Sequence, residues 1–138
     1  MRESNQLKEC QKLWAAHKYL VLSKSGTIYN EIREYLKREN AQVRHVLTLI
    51  DQARSLPENR GQVCNAFQHI WGYFKKHATR DEKAEFMYCL EQYRSGLAEQ
   101  EILLGAIRKL FAVYPNNYLQ QSHLLFGEQD ETVASRYD

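Results

Sequence analysis

Ten residues, QHIWGYFKKH at 68–77, hold three aromatics, two histidines, two adjacent lysines and a glycine. Residues of these types at this density can do three things. Lysines can pair with phosphates, tyrosine can stack on an unpaired base, and amide or imidazole groups can read base edges or a 2′-hydroxyl. The same groups could wall an enzyme pocket, with His69 as general acid or base. They could also only pack against a neighbouring helix, leaving the lysines solvated. Placed at 100° per residue, Val63, Phe67, Ile70 and Phe74 fall on one apolar stripe. Gln62, Asn65, His69, Gly72, Tyr73 and Lys76 gather on a second, polar arc, with Trp71 and Lys75 at its edges. That arc presents an amide, an imidazole, a phenol and an ammonium, and its glycine leaves room for close approach.

His17 is the second group of interest. It lies at the centre of its helix's apolar face, between Leu13, Trp14, Leu20 and Val21. A histidine so placed is ordinarily a core residue bonded to backbone or to a partner side chain. Its neighbours Lys18 and Tyr19, however, repeat the basic–aromatic composition of 68–77. A pocket where the first and fourth helices meet would bring His17 near His69.

Other chemistries find no residues to carry them. Neither GxxxxGK[ST] nor GxGxxG occurs, and GxSxG and HExxH are absent too. His69 and His77 do not have metal-pair spacing. Cys10, Cys64 and Cys89 are scattered and odd in number, as expected of buried free thiols and not of a zinc or iron–sulfur site. Asp81, Glu82 and Glu85 suit a helix's first turn and its dipole. No metal or cofactor is therefore expected, and these motifs assign no catalytic residue.

The elements that position these residues read as helices throughout. The first runs from Asn5 to Leu22, with Cys10, Leu13, Trp14, His17, Leu20 and Val21 on its apolar face. SKSG at 23–26 interrupts it, and Thr27 is placed to cap a second helix through Leu36. Val43, Val46, Leu47 and Ile50 mark a third, ending before Pro57. The fourth spans Glu58 to Lys76. Thr79 and Glu82 form a capping box for the fifth, which stops at Gly96. Leu97 to Tyr114 is the most apolar segment and closes at Pro115. With two prolines, six glycines and no strand-like alternation in 138 residues, the fold is expected to be all-α, a bundle-like domain of five or six helices over residues 1–122. Residues 123–138 read as a flexible tail. No apolar run approaches a membrane span, and MRESNQLKEC lacks a signal peptide's apolar core, so a cytoplasmic setting is expected. Residues 1–80 carry 14 Lys/Arg against 7 Asp/Glu, and residues 81–138 carry 5 against 10. The cationic half favours a polyanionic partner.

Five motifs occur together in this order: AHKYL at 16–20, NAFQHIWGYFKK at 65–76, EKAEF at 82–86, YRSGL at 93–97 and YPNNYLQQ at 114–121. Their combination resembles the YbgA-like family, small all-helical bacterial domains of unknown function, over residues 11–121. Val63 and AEQEILLG at 98–105 depart from the family pattern. Related domains occur fused to TudS-like desulfidases, iron–sulfur proteins that remove sulfur from thiolated uracil compounds. In those fusions the helical part is implicated in binding tRNA that carries 4-thiouridine.

The resemblance therefore implies an RNA-binding accessory domain for tRNA. Its site residues would be His17, Lys18, Asn65, His69, Tyr73, Lys75, Lys76, Arg94, Tyr118 and Gln121. It implies no catalysis by this chain, and a separate TudS-like desulfidase or other enzyme as possible partner. Two other readings stay open at this point: action on a small nucleotide with His69 as acid–base, and an adaptor for a desulfidase or repair enzyme. Oligomeric state is not encoded in these motifs.

Overall fold

A helix that must be covered on two sides organises the rest of the chain. In the structure, a computed structural model that describes residues 2–127, this is α1 (Arg2–Lys24), roughly 35 Å long. On one side Cys10, Leu13 and Val21 pack with Ile32 of α2 (Gly26–Tyr35) and with Val46, Leu49 and Ile50 of α3 (Val43–Arg54). On the other side Tyr19 and Leu22 join a larger core. That core is built from α4 (Arg60–Trp71), α5 (Arg80–Arg94), α6 (Glu101–Val113), α7 (Asn117–Gln120) and α8 (His123–Phe126). The described residues are all-helical, as expected, with six longer helices and two of a single turn. Two-sided burial explains why the single apolar face expected for α1 was incomplete. Tyr19 and Leu22 are buried, whereas Trp14 and Leu20 are half-buried.

Side chains from one helix close the open ends of its neighbours. The first N–H groups of a helix have no partner of their own. Gln6 Oε1 of α1 accepts from Val43 N at 3.0 Å, at the start of α3. Gln62 Oε1 of α4 accepts from Gly26 N at 2.9 Å, at the start of α2. The cap of α2 is Ser25, whose side chain accepts from Ile28 N, and the expected cap Thr27 lies inside the first turn. The correction follows from Gly26, which can begin the helix because Gln62 satisfies its N–H.

The capping box of α5 forms as its sequence requires. Glu82 N–H donates to Thr79 Oγ1 at 3.1 Å, and Thr79 N–H donates to Glu82 Oε1 at 2.8 Å. Gly96, at φ 84°, ends α5 in a left-handed residue that a side chain would strain. Leu97 N–H then reaches back to Gln92 O, and Gly96 N–H to Tyr93 O, closing a Schellman turn. Residues 97–100 continue that turn, so α6 starts at Glu101 and not at Leu97.

Arg60 fastens the turn to α4. Its Nη1 donates to Tyr93 O at 2.6 Å and to Ala98 O at 2.9 Å, and its guanidinium sits 4.4 Å from the Tyr93 ring centroid. Tyr93 Oη donates to Glu58 Oε2 at 2.6 Å.

Two further boundaries differ from the sequence reading. Helix α4 ends at Trp71, five residues before the expected Lys76, because the chain tightens into i→i−3 bonds from Gly72 onward. A side chain at Gly72 would meet His69 O at 3.0 Å, so glycine suits this tightening. Trp71, placed at an edge by the helical wheel, is buried and stacks on Phe86 at 5.0 Å. At the other boundary, α8 belongs to the packed domain and not to a tail. Leu125 is fully buried, and Arg108 Nε donates to its carbonyl at 2.7 Å. The domain thus extends past residue 122 to at least 127, and residues 128–138 of the expected tail lie outside the described residues.

Among the described residues, no helix is long and apolar enough to cross a membrane. The three thiols are buried and unlinked, and burial pushes each of them up from the ordinary cysteine range.

Candidate functional site

Four tyrosines and two cations converge where α1, α2, the turn after α4, and α7 meet. Tyr19 and Tyr73 share a hydroxyl–hydroxyl hydrogen bond of 2.8 Å, their rings edge to face at 6.2 Å. Tyr118 of α7 lies nearly parallel to Tyr73, with 17° between the planes and 6.2 Å between centroids. Lys18 Nζ sits 5.6 Å from the Tyr19 ring centroid and 5.7 Å from that of Tyr118. From α2, Tyr29 closes the group and carries Arg33 at 5.8 Å from its ring centroid. Trp14 extends the aromatic surface, 5.2 Å from Tyr29.

Each position follows from local structure. Lys18 and Tyr19 are adjacent on α1, so one reaches the rim while the other enters the core. Tyr73 is released from helical register by the tightened turn at Gly72, which carries it toward Tyr19. Asn116 caps α7 through Leu119 N at 3.0 Å and so fixes the turn that presents Tyr118 two residues on. Tyr29 and Arg33 are spaced i, i+4 on α2, one above the other, and Gln62 ties that helix's start to α4.

The cluster is electrically unbalanced. Burial holds the Tyr19 hydroxyl far above the ordinary phenol range, reinforced by its bond to Tyr73. Burial likewise raises Tyr29, against the opposing charge of Arg33, and it raises Tyr118 with help from Tyr73 and Tyr29. These three phenols are therefore neutral at physiological pH. Partial burial, aided by nearby Arg33, lowers Lys18 below the usual lysine range. Among the described residues, neither Lys18 nor Arg33 pairs with a carboxylate. Neutral π-faces beside two uncompensated cations suit a ligand that is both planar and anionic.

Of the residues expected from sequence, Lys18, Tyr73 and Tyr118 are brought together. Asn65 and His69 are exposed on α4 at i, i+4 spacing, on the helix that leads into the turn carrying Tyr73. Lys75 and Lys76 are exposed in the turn that follows Tyr73. Gln121 is exposed at the C-terminal end of α7.

Two expected residues sit elsewhere. Arg94 lies at the end of α5, bonded to Glu91 at 3.0 Å and close to Cys64, on the opposite flank of α4 from the arc. His17 does not share a pocket with His69. Its ring packs 4.1 Å from that of His123 in α8, and its Nδ1–H donates to Leu13 O at 2.9 Å. Burial lowers it to about 4, with the charges of His123 and Arg54 acting in the same direction, so it is a neutral core residue. The paired-histidine pocket fails because α8 covers this face of α1. For His69, no side-chain partner among the described residues fixes the ring as a catalytic base would need.

Sequence reasoning missed Tyr29, Arg33 and Trp14. The i, i+4 tyrosine–arginine pair on α2 was a usable signal.

A family model described as "Protein of unknown function (DUF1722)" matches residues 18–126. Its span begins at Lys18 and includes all of the clustered tyrosines and Arg33. No curated protein and no solved structure matches the chain.

Proposed function

The chain belongs to the DUF1722 family of unknown function, within which its YbgA-like resemblance falls, and from that premise we propose that it is an RNA-binding accessory domain for tRNA without catalysis of its own. The observation that carries this reading is the cluster of Lys18, Tyr29, Arg33, Tyr73 and Tyr118, in which both cations lack a carboxylate among the described residues. Lys75 and Lys76, exposed in the turn just after Tyr73, add positive charge to the neighbouring chain. Recognition of 4-thiouridine is the finer form of the proposal. Any sulfur chemistry would belong to a separate protein such as a TudS-like desulfidase, because all three thiols here are buried. The catalytic alternative has less support, since no side chain among the described residues orients His69.

The test is filter binding to bulk tRNA across salt concentrations. Affinity should fall steeply with salt, because phosphate contacts release counterions. Lys75→Glu combined with Lys76→Glu should weaken it further. No binding at low salt, or no effect of that double substitution, overturns the reading. Thiolated and unthiolated tRNA compared in the same assay test the thiouridine preference.

A further inference from the structure

We infer that the element this face recognises is an unpaired nucleotide, its base stacked on Tyr118 and its phosphate held by Lys18 and Arg33, with little selection among the four unmodified bases. The inference rests on the RNA-binding reading above and names the feature of RNA that is read.

The hydroxyl of Tyr73 is committed to Tyr19 at 2.8 Å. With its oxygen held by a neighbour inside the protein, the phenol's ring is the larger surface it offers a ligand. Tyr73 and Tyr118 are nearly parallel, so a base laid on Tyr118 extends a stack that already exists. Stacking of this kind tolerates any base, because every base has a π-face. In a duplex those faces are covered by neighbouring base pairs, and only the edges and backbone are offered.

The cations fit the same ligand. Lys18 Nζ lies over the Tyr118 ring at 5.7 Å, and the Arg33 guanidinium over the Tyr29 ring at 5.8 Å. Each cation rests on an aromatic face at the end of a long side chain, so a base that takes its place on the ring would leave the displaced charge beside its own phosphate. Double-stranded RNA would instead be met by contacts spread over two successive minor grooves, about 16 base pairs. Here the aromatic rings and the two cations are gathered at one junction of α1, α2 and α7.

The experiment is fluorescence anisotropy with the full chain and two labelled RNAs, a 12-nucleotide single strand and a blunt duplex of the same sequence. The single strand should bind at least about tenfold more tightly. Tyr118→Leu should weaken single-strand binding on the order of tenfold and leave duplex binding unchanged, while Tyr118→Phe keeps both. A 2-aminopurine in the single strand should be quenched on binding to the parent protein and to Tyr118→Phe. Lys18→Gln, which removes the charge and leaves the Tyr118 ring, should weaken single-strand binding without abolishing the quench. Equal affinity for the two RNAs, or binding without quenching, overturns the inference while leaving RNA binding intact. If neither RNA binds at low salt, the RNA reading falls and the inference with it.

Discussion

The hydroxyls of Tyr19 and Tyr73 meet at 2.8 Å across 54 residues of chain, joining the middle of α1 to the turn that follows α4. This bond turns Tyr73 from a helix-arc residue into one wall of an aromatic cluster. Tyr19→Phe keeps the ring and removes the bond. It should cost about 1 kcal/mol in urea unfolding, a fall of about 3 °C in Tm. RNA affinity should drop in the same variant, because Tyr73 is no longer held. Unchanged stability would show that solvent replaces the bond without loss.

Lys18 and Arg94 separate the site from its surroundings. Both were expected to contact RNA, yet only Lys18 lies in the cluster. Lys18→Ala should lower the slope of log affinity against log salt by about 1. Arg94→Ala should leave both affinity and slope unchanged, since its guanidinium is engaged with Glu91 at 3.0 Å. Equal effects of the two substitutions would place the interface on the wrong flank of α4.

His17 sets an acid limit on the fold. Burial lowers its pKa from 6.5 to about 4, so the unfolded chain binds a proton that the folded chain refuses. Stability should be unaffected by this group above pH 6.5 and should fall as pH drops from 6.5 toward 4. The full loss is on the order of 3 kcal/mol. Urea midpoints at pH 7.5, 5.5 and 4.5 measure it. His17→Gln keeps a donor for Leu13 O and should flatten the dependence. A parent protein as stable at pH 4.5 as at 7.5 would mean that the ring is hydrated.

Arg60 is basic but structural. Arg60→Met removes donors from the Tyr93 and Ala98 carbonyls and the cation from the Tyr93 ring. A loss of about 2–3 kcal/mol is expected by denaturant unfolding, with RNA affinity unaltered wherever the variant is folded. A loss well under 1 kcal/mol would show that water serves these carbonyls equally well.

Periodicity and punctuation are local properties, and the sequence alone determined what depends on them. The all-α class follows from them, as do the Val63–Phe67–Ile70–Phe74 stripe, the Thr79–Glu82 box and the stop at Gly96, because each is decided within one or two helical turns. The exposure of Asn65 and His69 on α4 was legible for the same reason. Only the tertiary structure decided which arc residues find company. Tyr29 and Arg33 join Lys18, Tyr73 and Tyr118 because Gln62 draws the start of α2 onto α4. His17 is turned into core because α8, read as tail, folds back to place His123 against it. No helical wheel reports either event, since both depend on side chains meeting across tens of residues, where burial and satisfied hydrogen bonds choose the partner.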